Sequence, residues 1–355
     1  MRAKFQSDEV RQFVNNMVIS FVAIVLSLAV SAIIMLIAGY QPGAALSALL
    51  DGAFGSRNAI ANTLSKSVPL IFVGLACAFA NKGGMFNIGA EGQLYMGGFA
   101  AVLTGLALQD LPAPIILATS VVVGMLAGGM IGGMTGLLKA KLQIHEVIVA
   151  IMLNYIIRFF VGFWVNGPFK DPNSQTAQTL PVGEENMFTK LITRTQLTTA
   201  LFLALILVLL LAVFFGRTRM GFNIRAVGEN PKAAQASGIA MSRTIMMTMA
   251  ISGAIAGLTG VTEIFGKTGR FIDGFSPGFG FTGIAVAVLG RNNPIGVVFS
   301  AILFGIIDAG SLKMSYVAGI SSSMINVMNG LVILFVATPE LIRKMAFWKG
   351  GTNHA

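Results

Sequence analysis

The chain has 355 residues, of which 55% are hydrophobic and 11% charged, and its formal net charge is +10. This composition excludes an ordinary soluble domain and is typical of an all-α polytopic membrane protein. One cysteine excludes a disulfide framework within the chain, and two histidines are too few for a haem or metal cluster, so we expect no cofactor.

The uncharged apolar runs of the chain predict about ten transmembrane helices, because one bilayer crossing needs about 20 such residues. The first run follows a charged leader and is too long for the hydrophobic region of a signal peptide, so we expect a retained helix. The expected spans cover residues 17–39, 64–80, 88–108, 114–138, 146–165, 197–215, 244–265, 275–290, 294–311 and 320–338.

The positive charge has a topological explanation. With ten spans, residues 1–16 and 339–355 form cytoplasmic ends around a membrane domain of residues 17–338, and most Lys and Arg residues fall on the cytoplasmic side. This is the positive-inside bias of membrane proteins. The basic composition therefore does not indicate a nucleic-acid partner.

Residues 84–93, with the sequence GMFNIGAEGQ, place a carboxylate and two amides between two apolar runs. One interpretation is a cytoplasmic turn with Glu91 in the first turn of the next helix, where a carboxylate suits the helix dipole. That interpretation leaves Asn87 and Gln93 unexplained. An ionisable residue within the membrane indicates a functional site, so we favour a solute path lined by Asn87, Glu91 and Gln93.

The fourth and fifth expected spans carry a glycine stripe and an arginine. Gly124, Gly128, Gly132 and Gly136 recur every fourth residue and predict close helix packing. Arg158 either snorkels to the interface or pairs with Asp308 or Glu263. We favour a structural pair over a substrate contact.

Two segments between spans exceed the usual loop length. Residues 166–196 are expected outside, where they form either a lid, a contact for an external partner or a plain connector. Residues 216–243 are expected in the cytoplasm. Within them, Asn230 is a good N-cap, Pro231 suits the first helical position and Gly238 can end a helix, which predicts a short helix of about two turns. It is either a surface linker or a docking element for a motor subunit.

A weak internal repeat appears when Met85–Gly105 is aligned with Arg270–Gly290, an offset of 185 residues. The first segment is expected to run outward and the second inward. Glycine-interrupted segments of opposite direction indicate inverted repeats with substrate bound between them. Four aromatic side chains lie in the second segment and either stack on a flat solute or simply pack; they are Phe271, Phe275, Phe279 and Phe281.

Three motifs together resemble the permease subunits of ATP-binding-cassette importers of the branched-chain amino acid, ribose and nucleoside group. They are FNIGAEGQ at residues 86–93, EVIVAIMLNY at residues 146–155 and GENPKAA at residues 228–234. The first motif is similar to the nucleoside or simple-sugar branch. The chain departs from the family in having His145 before Glu146, where many members have asparagine.

The resemblance implies that the third motif docks a cytoplasmic ATPase. The implied docking residues are Gly228, Glu229, Asn230, Pro231, Lys232, Ala233, Ala234 and Gly238. It also implies an external binding protein that delivers a nucleoside, a prokaryotic plasma-membrane location, and a second permease subunit that completes the pore. The second subunit is expected to be a different chain, with a copy of this one as the alternative.

Other functions remain open from the sequence. Ribose-like sugars or branched-chain amino acids are the alternative cargo, and a secondary carrier that uses Glu91 for ion coupling is a further alternative. We expect no enzyme activity, because the chain has neither a phosphate-binding GxxxxGK[ST] motif nor a catalytic cluster among its scattered acids.

Overall fold

The structure is a computed structural model that describes Val22 and residues 25–337. The expected cytoplasmic ends, residues 1–16 and 339–355, lie outside the described residues, as does the beginning of the first expected span. The described helices are α1 (Val25–Ile37), α2 (Pro42–Phe54), α3 (Arg57–Lys82), α4 (Ala90–Ala107), α5 (Ala113–Leu142), α6 (Glu146–Asn166), α7 (Ala200–Arg217), α8 (Arg219–Glu229), α9 (Pro231–Ala236), α10 (Met241–Glu263), α11 (Phe279–Leu289), α12 (Pro294–Ala318) and α13 (Ser322–Ala337).

The helices confirm the all-α polytopic class. Within the described residues, six helices are long and apolar enough to cross a bilayer, namely α3, α5, α6, α7, α12 and α10 together with the turn that extends it. Three shorter apolar helices are α1, α11 and the apolar part of α13. Helix α2 is not among the expected spans, and its 13 residues are too few to cross a bilayer.

The described chain forms two compact units. One contains α1, α2, the end of α12 and α13, and the other comprises Ser56–Ile306. In the first unit α2 packs against α12, because Gly310 has no side chain and lies against Leu49. An ion pair between Lys313 and Asp51 joins the same two helices.

In the second unit, the glycine stripe of α5 packs directly on α10, which confirms the packing prediction. A Cβ atom added to Gly128 would lie 2.5 Å from the carbonyl oxygen of Gly253, and one added to Gly132 would lie 2.3 Å from that of Met249. Both distances are shorter than real Cβ contacts, so the backbones themselves touch. Small residues allow this approach between membrane helices.

The helix bounds support the internal repeat. An offset of 185 residues moves α3 onto residues 242–267, and α10 with the π-helical turn Ile264–Thr268 covers residues 241–268. The same offset moves α4 onto the region of α11. The first repeat thus contains α3 and α4, and the second contains α10 and α11. Helix α3 packs on α11 and α4 packs on α10, so the two repeats are interleaved.

Candidate functional site

The site begins where α3 ends and the chain turns back along it. Gly84 adopts a left-handed conformation, with a φ of 72°, just after the end of α3 at Lys82. The Cys77 thiol group lies 3.8 Å from the carbonyl oxygen of Asn87. Cys77 precedes the end of α3 by about 7.5 Å of helix, at 1.5 Å per residue. Residues 84–89 therefore re-enter the helical unit instead of forming a surface turn.

Asn87 and Gln93 hold this re-entrant segment together. The Asn87 amide donates to Gln93 Oε1 at 2.8 Å, and the Gln93 amide donates back to Asn87 Oδ1 at 3.0 Å. Asn87 also donates to Ser252 Oγ on α10 at 2.7 Å. The exposed fractions are 1% for Asn87 and 0% for Gln93. The amide groups of both side chains therefore have hydrogen-bond partners within the protein. Neither side chain lines an open solute path in this conformation.

A third amide, Asn154 on α6, fixes the same segment from the other side. Its Oδ1 atom accepts the Gly92 N–H at 2.8 Å, and its Nδ2 atom donates to the Ile88 carbonyl at 2.9 Å. The Gly92 N–H belongs to the first turn of α4, where backbone donors have no partner within the helix. The sequence prediction gave Asn154 no role, although an amide within an apolar span is itself a signal.

Glu91 joins the beginnings of α4 and α11. It lies in the first turn of α4, and its Oε2 atom accepts the Gly280 N–H at 2.7 Å. The Ser276 side chain lies close enough to this carboxylate to stabilise its charge. Both helices direct their positive N-terminal ends at one anion, an arrangement that stabilises the carboxylate.

The contact is close because Gly280 lacks a side chain. A Cβ atom added there would lie 2.4 Å from the Glu91 backbone nitrogen. One turn further along α11, Gly283 packs on Val73, so the junction lies beside the middle of α3. Two half-helices therefore meet end to end within the unit, as the inverted repeats predict.

The expected aromatic residues divide into buried and partly exposed ones. Phe271 is fully buried and contacts Tyr95 and Phe99 of α4, with ring centroids 6.0 and 5.8 Å apart. Phe275 is half-buried, and its ring lies 4.9 Å from that of Tyr95. Phe271 thus belongs to the packing of this conformation, whereas part of Phe275 remains accessible beside the Glu91 junction.

The loop of residues 167–199 covers the segment that carries Phe271. Thr179 and Phe271 exchange hydrogen bonds, and the Val182 N–H donates to the Gly269 carbonyl at 2.8 Å. An ion pair between Asp171 and Arg270 adds to these contacts. The loop is therefore more than a plain connector, because it anchors the residues that lead into α11.

The predicted short helix is present in residues 216–243. Asn230 caps α9 by accepting the Ala233 N–H at 3.0 Å, Pro231 is its first residue, and Gly238 follows it with a φ of 81°. The helix is exposed except for Ala234, which is buried. The helix prediction is confirmed; the structure contains no partner that tests the docking role.

The segment of residues 216–243 lies against the re-entrant segment of residues 84–89. A Cβ atom added to Gly228, near the end of α8, would lie 2.2 Å from the Lys82 carbonyl and 2.9 Å from the Gly84 nitrogen. The end of α8 therefore touches the residues that lead to Asn87 and Glu91. The sequence contained no signal for this contact between segments about 140 residues apart, apart from the glycines themselves.

The expected pairing of Arg158 with Glu263 is wrong. Glu263 binds Lys267 instead, at 2.6 Å and one turn away on the same helix. Within residues 56–306, no carboxylate lies within ion-pair distance of Arg158, and its side chain is exposed. Among the described residues, no cluster of His, Cys, Asp and Glu could hold a metal ion.

Comparison with known proteins identifies the family. The family model described as branched-chain amino acid transport system / permease component matches residues 59–337. The chain is 36% identical to the nucleoside ABC transporter permease protein NupB of Lactococcus lactis, over 93% of each protein. It is 38% identical to the guanosine ABC transporter permease protein NupP of Bacillus subtilis, over 93% of this chain and 95% of that protein.

A third relative is the glucose ABC transporter permease protein TsgB13 of Haloferax volcanii, which is 29% identical over 90% of this chain and 86% of that protein. No solved structure matches the chain. The family model alone covers more than half of the chain. The chain therefore belongs to the branched-chain amino acid transport system permease family, whose members are non-enzymatic, multi-pass plasma-membrane components that act with a separate ATPase and a substrate-binding protein.

Proposed function

We propose that the chain is the permease subunit of an importer that carries nucleosides across the plasma membrane of a prokaryote. The observation that carries this proposal is the similarity to two permeases named for nucleosides and guanosine, at 36% and 38% identity over nearly their whole length. The similarity to a glucose permease is lower, at 29%. Nucleosides are therefore favoured over free sugars and over branched-chain amino acids.

The solute route is proposed to pass the junction of α4 and α11. Of the residues predicted to line the route, Glu91 and Phe275 are the ones that remain partly exposed there. Three buried residues are proposed to hold Glu91 and Phe275 in position without lining the route themselves. They are Asn87, Gln93 and Phe271. Helix N-termini and polar backbone at membrane depth are typical of the binding region in transporters with inverted repeats.

The ATPase is proposed to dock on the segment of residues 228–239. Support comes from the exposure of α9, whose cap and closing glycine keep a six-residue helix ordered. The contact of Gly228 with Lys82 and Gly84 gives a physical route for coupling, because a displacement of α8 pushes directly on the re-entrant loop. The loop is joined to Glu91 through Asn87, Gln93 and the start of α4.

The orientation of the chain and its other partners are proposed on the same importer model. Both termini are proposed to be cytoplasmic, with the loop of residues 166–196 outside, where it faces the binding protein. A second permease subunit, proposed to be a different chain, completes the pore. The nucleoside is delivered by the external binding protein, and no nucleic acid takes part.

The test is transport by the reconstituted complex of this chain, its second permease subunit, the ATPase and the binding protein. Nucleosides should be taken up in an ATP-dependent manner and should stimulate ATP hydrolysis more than ribose, glucose or leucine. A preference for leucine or a free sugar would contradict the proposed cargo. Uptake that depends on an ion gradient but not on ATP would contradict the importer and favour a secondary carrier.

A further inference from the structure

Arg158 is an exposed charge near the middle of a membrane span. At 1.5 Å per residue it lies about 18 Å along α6 from Glu146 and about 12 Å from Asn166, and its side chain is exposed. Charged side chains at this depth almost always face a bundle interior or a water-filled cavity, because contact with lipid is costly. The guanidinium group therefore needs a polar environment that no ion pair within residues 56–306 supplies.

The neighbours of Arg158 on α6 show which parts of the protein the Arg158 side of the helix faces. Asn154, Arg158 and Gly162 are four residues apart and form one row along the helix. Asn154 binds the backbone of Ile88 and Gly92 at one end of the row. At the other end, a Cβ atom added to Gly162 would lie 3.7 Å from the Asp273 carboxylate. Arg158 thus lies between the start of α4 and the loop before α11.

The charges around Arg158 are those of the Glu91 junction. The Arg158 charge acts on both the Glu91 carboxyl group and the Tyr95 hydroxyl group. Asp273 is exposed on the same side, and Glu91 already accepts the Gly280 N–H. Arg158 is consequently a cationic group of the junction that forms no ion pair within residues 56–306.

The rest of the exposed surface of α6 is different in character. Met152, Ile156, Phe159 and Phe163 are all exposed and apolar. They suit lipid or another apolar helix, whereas the row with Arg158 suits water and a polar solute. The charged row therefore marks the edge at which α6 passes from apolar surroundings to the proposed solute route.

We propose that Arg158 recognises the solute by donating hydrogen bonds to the edge of its nucleobase. This inference rests on the proposed nucleoside function. A guanidinium group presents a planar fork of donors that fits two adjacent acceptors, such as O6 and N7 of guanine. The Glu91 and Asp273 carboxylates accept hydrogen bonds from sugar hydroxyl groups, and the half-buried Phe275 ring offers a face for stacking. Because no carboxylate within residues 56–306 pairs with Arg158, its hydrogen-bond donors are available to the solute.

The test compares uptake of guanosine with uptake of 7-deazaguanosine, in which the N7 acceptor is replaced by a carbon atom. The complete importer is used with wild-type chain, Arg158→Gln and Arg158→Lys. Discrimination by the binding protein cancels, because the same binding protein serves every variant. We expect Arg158→Gln to lower guanosine uptake about tenfold, the range of one bidentate contact, and to lower uptake of the analogue much less. Arg158→Lys keeps the charge but not the fork and should lose the same selectivity.

Met152→Gln is the matched control, since it places the same amide on the apolar face of α6, and it should leave the ratio of the two rates unchanged. Equal losses for both solutes in the assembled complex would overturn the proposal. So would restoration of uptake in Arg158→Gln/Glu91→Gln, which would indicate charge balance alone. If the wild type transports guanosine and both Arg158 variants keep the wild-type ratio of guanosine to 7-deazaguanosine uptake, the role of Arg158 is refuted. The proposed nucleoside function would then still stand. A wild-type complex that carries neither nucleoside would overturn the proposed function itself.

Discussion

The Glu91 carboxylate and the Gly280 N–H group, 189 residues apart in the sequence, form a hydrogen bond of 2.7 Å. Each belongs to the first turn of a half-helix, and the offset of 185 residues that relates the repeats places Glu91 on Ser276, its other partner. Residues in equivalent positions of the two repeats therefore lie near each other. Such a contact lies close to the axis that relates the repeats, where a small rotation of one repeat changes the contact directly.

Gly280→Ala should impair transport strongly, because its new methyl group would lie 2.4 Å from the Glu91 nitrogen and separate the two half-helices. Uptake by the reconstituted complex measures this. Gly216→Ala, at a glycine with open space around it, is the control and should transport normally. Normal uptake by Gly280→Ala would show that the junction need not stay closed.

Asn87→Ala and Gln93→Ala should each destabilise the protein by about 1–3 kcal/mol, because each leaves a buried amide without its partner. The double variant should cost less than the sum of the two, by about 1 kcal/mol, since the amides serve each other. Thermal unfolding in detergent gives the comparison. Gln93→Ala combined with Asn186→Ala, which removes a separate buried amide bound to Val182, should be additive. Additivity in the Asn87 and Gln93 pair would contradict the reciprocal bond.

Asn154→Leu should lower both stability and uptake, because the Gly92 N–H and the Ile88 carbonyl lose their side-chain partner. The expected loss is about 1–3 kcal/mol for each group left unsatisfied. Asn166→Leu, an exposed asparagine at the end of the same helix, controls for the change of residue type. Equal effects of the two substitutions would mean that α6 does not anchor the re-entrant loop.

Reversing two charges in the docking segment, Glu229→Lys with Lys232→Glu, should abolish association with the ATPase. Folding should change by less than about 0.5 kcal/mol, because both side chains are exposed. Copurification of the ATPase measures association. The same reversal at Glu184 and Lys190, also exposed, should retain it. Retained binding in the first variant would place the ATPase elsewhere.

Single cysteines test the orientation on a Cys77→Ala background. A cysteine at Gln175, exposed in the loop of residues 166–196, should react with an impermeant thiol reagent in intact cells. A cysteine at Gln235, exposed in α9, should react only after permeabilisation, because the positive-inside bias places that loop in the cytoplasm. Labelling of Gln235 from outside would overturn the proposed topology.

Local signals predicted local structure well. The order of Asn230, Pro231 and Gly238 is sufficient to define α9, because capping and the left-handed conformation depend on neighbouring residues. The glycine stripe of α5 likewise indicated its packing. Helix α2 could have been predicted after the first expected span, because Gly39 is suited to end a helix and Pro42 is suited to begin the next one.

Long-range partners could not be read in the same way. The contact between Glu91 and Gly280 depends on how two repeats pack, and neither residue type requires the other. Glu263 is different, because Lys267 follows it at a spacing of four residues, at which opposite charges on a helix meet. That local pair explains why the expected bond from Arg158 to Glu263 is absent.

The backbone contact between α5 and α10 limits which parts of the permease can move. Gly128 and Gly132 leave no side chain between them and the backbone of α10. Sliding one helix along the other by a fraction of a turn would bring a side chain into that gap, which close-packed interiors resist. The two helices should therefore travel as a single block during each transport cycle, leaving the joint between α4 and α11 as the hinge on which access alternates.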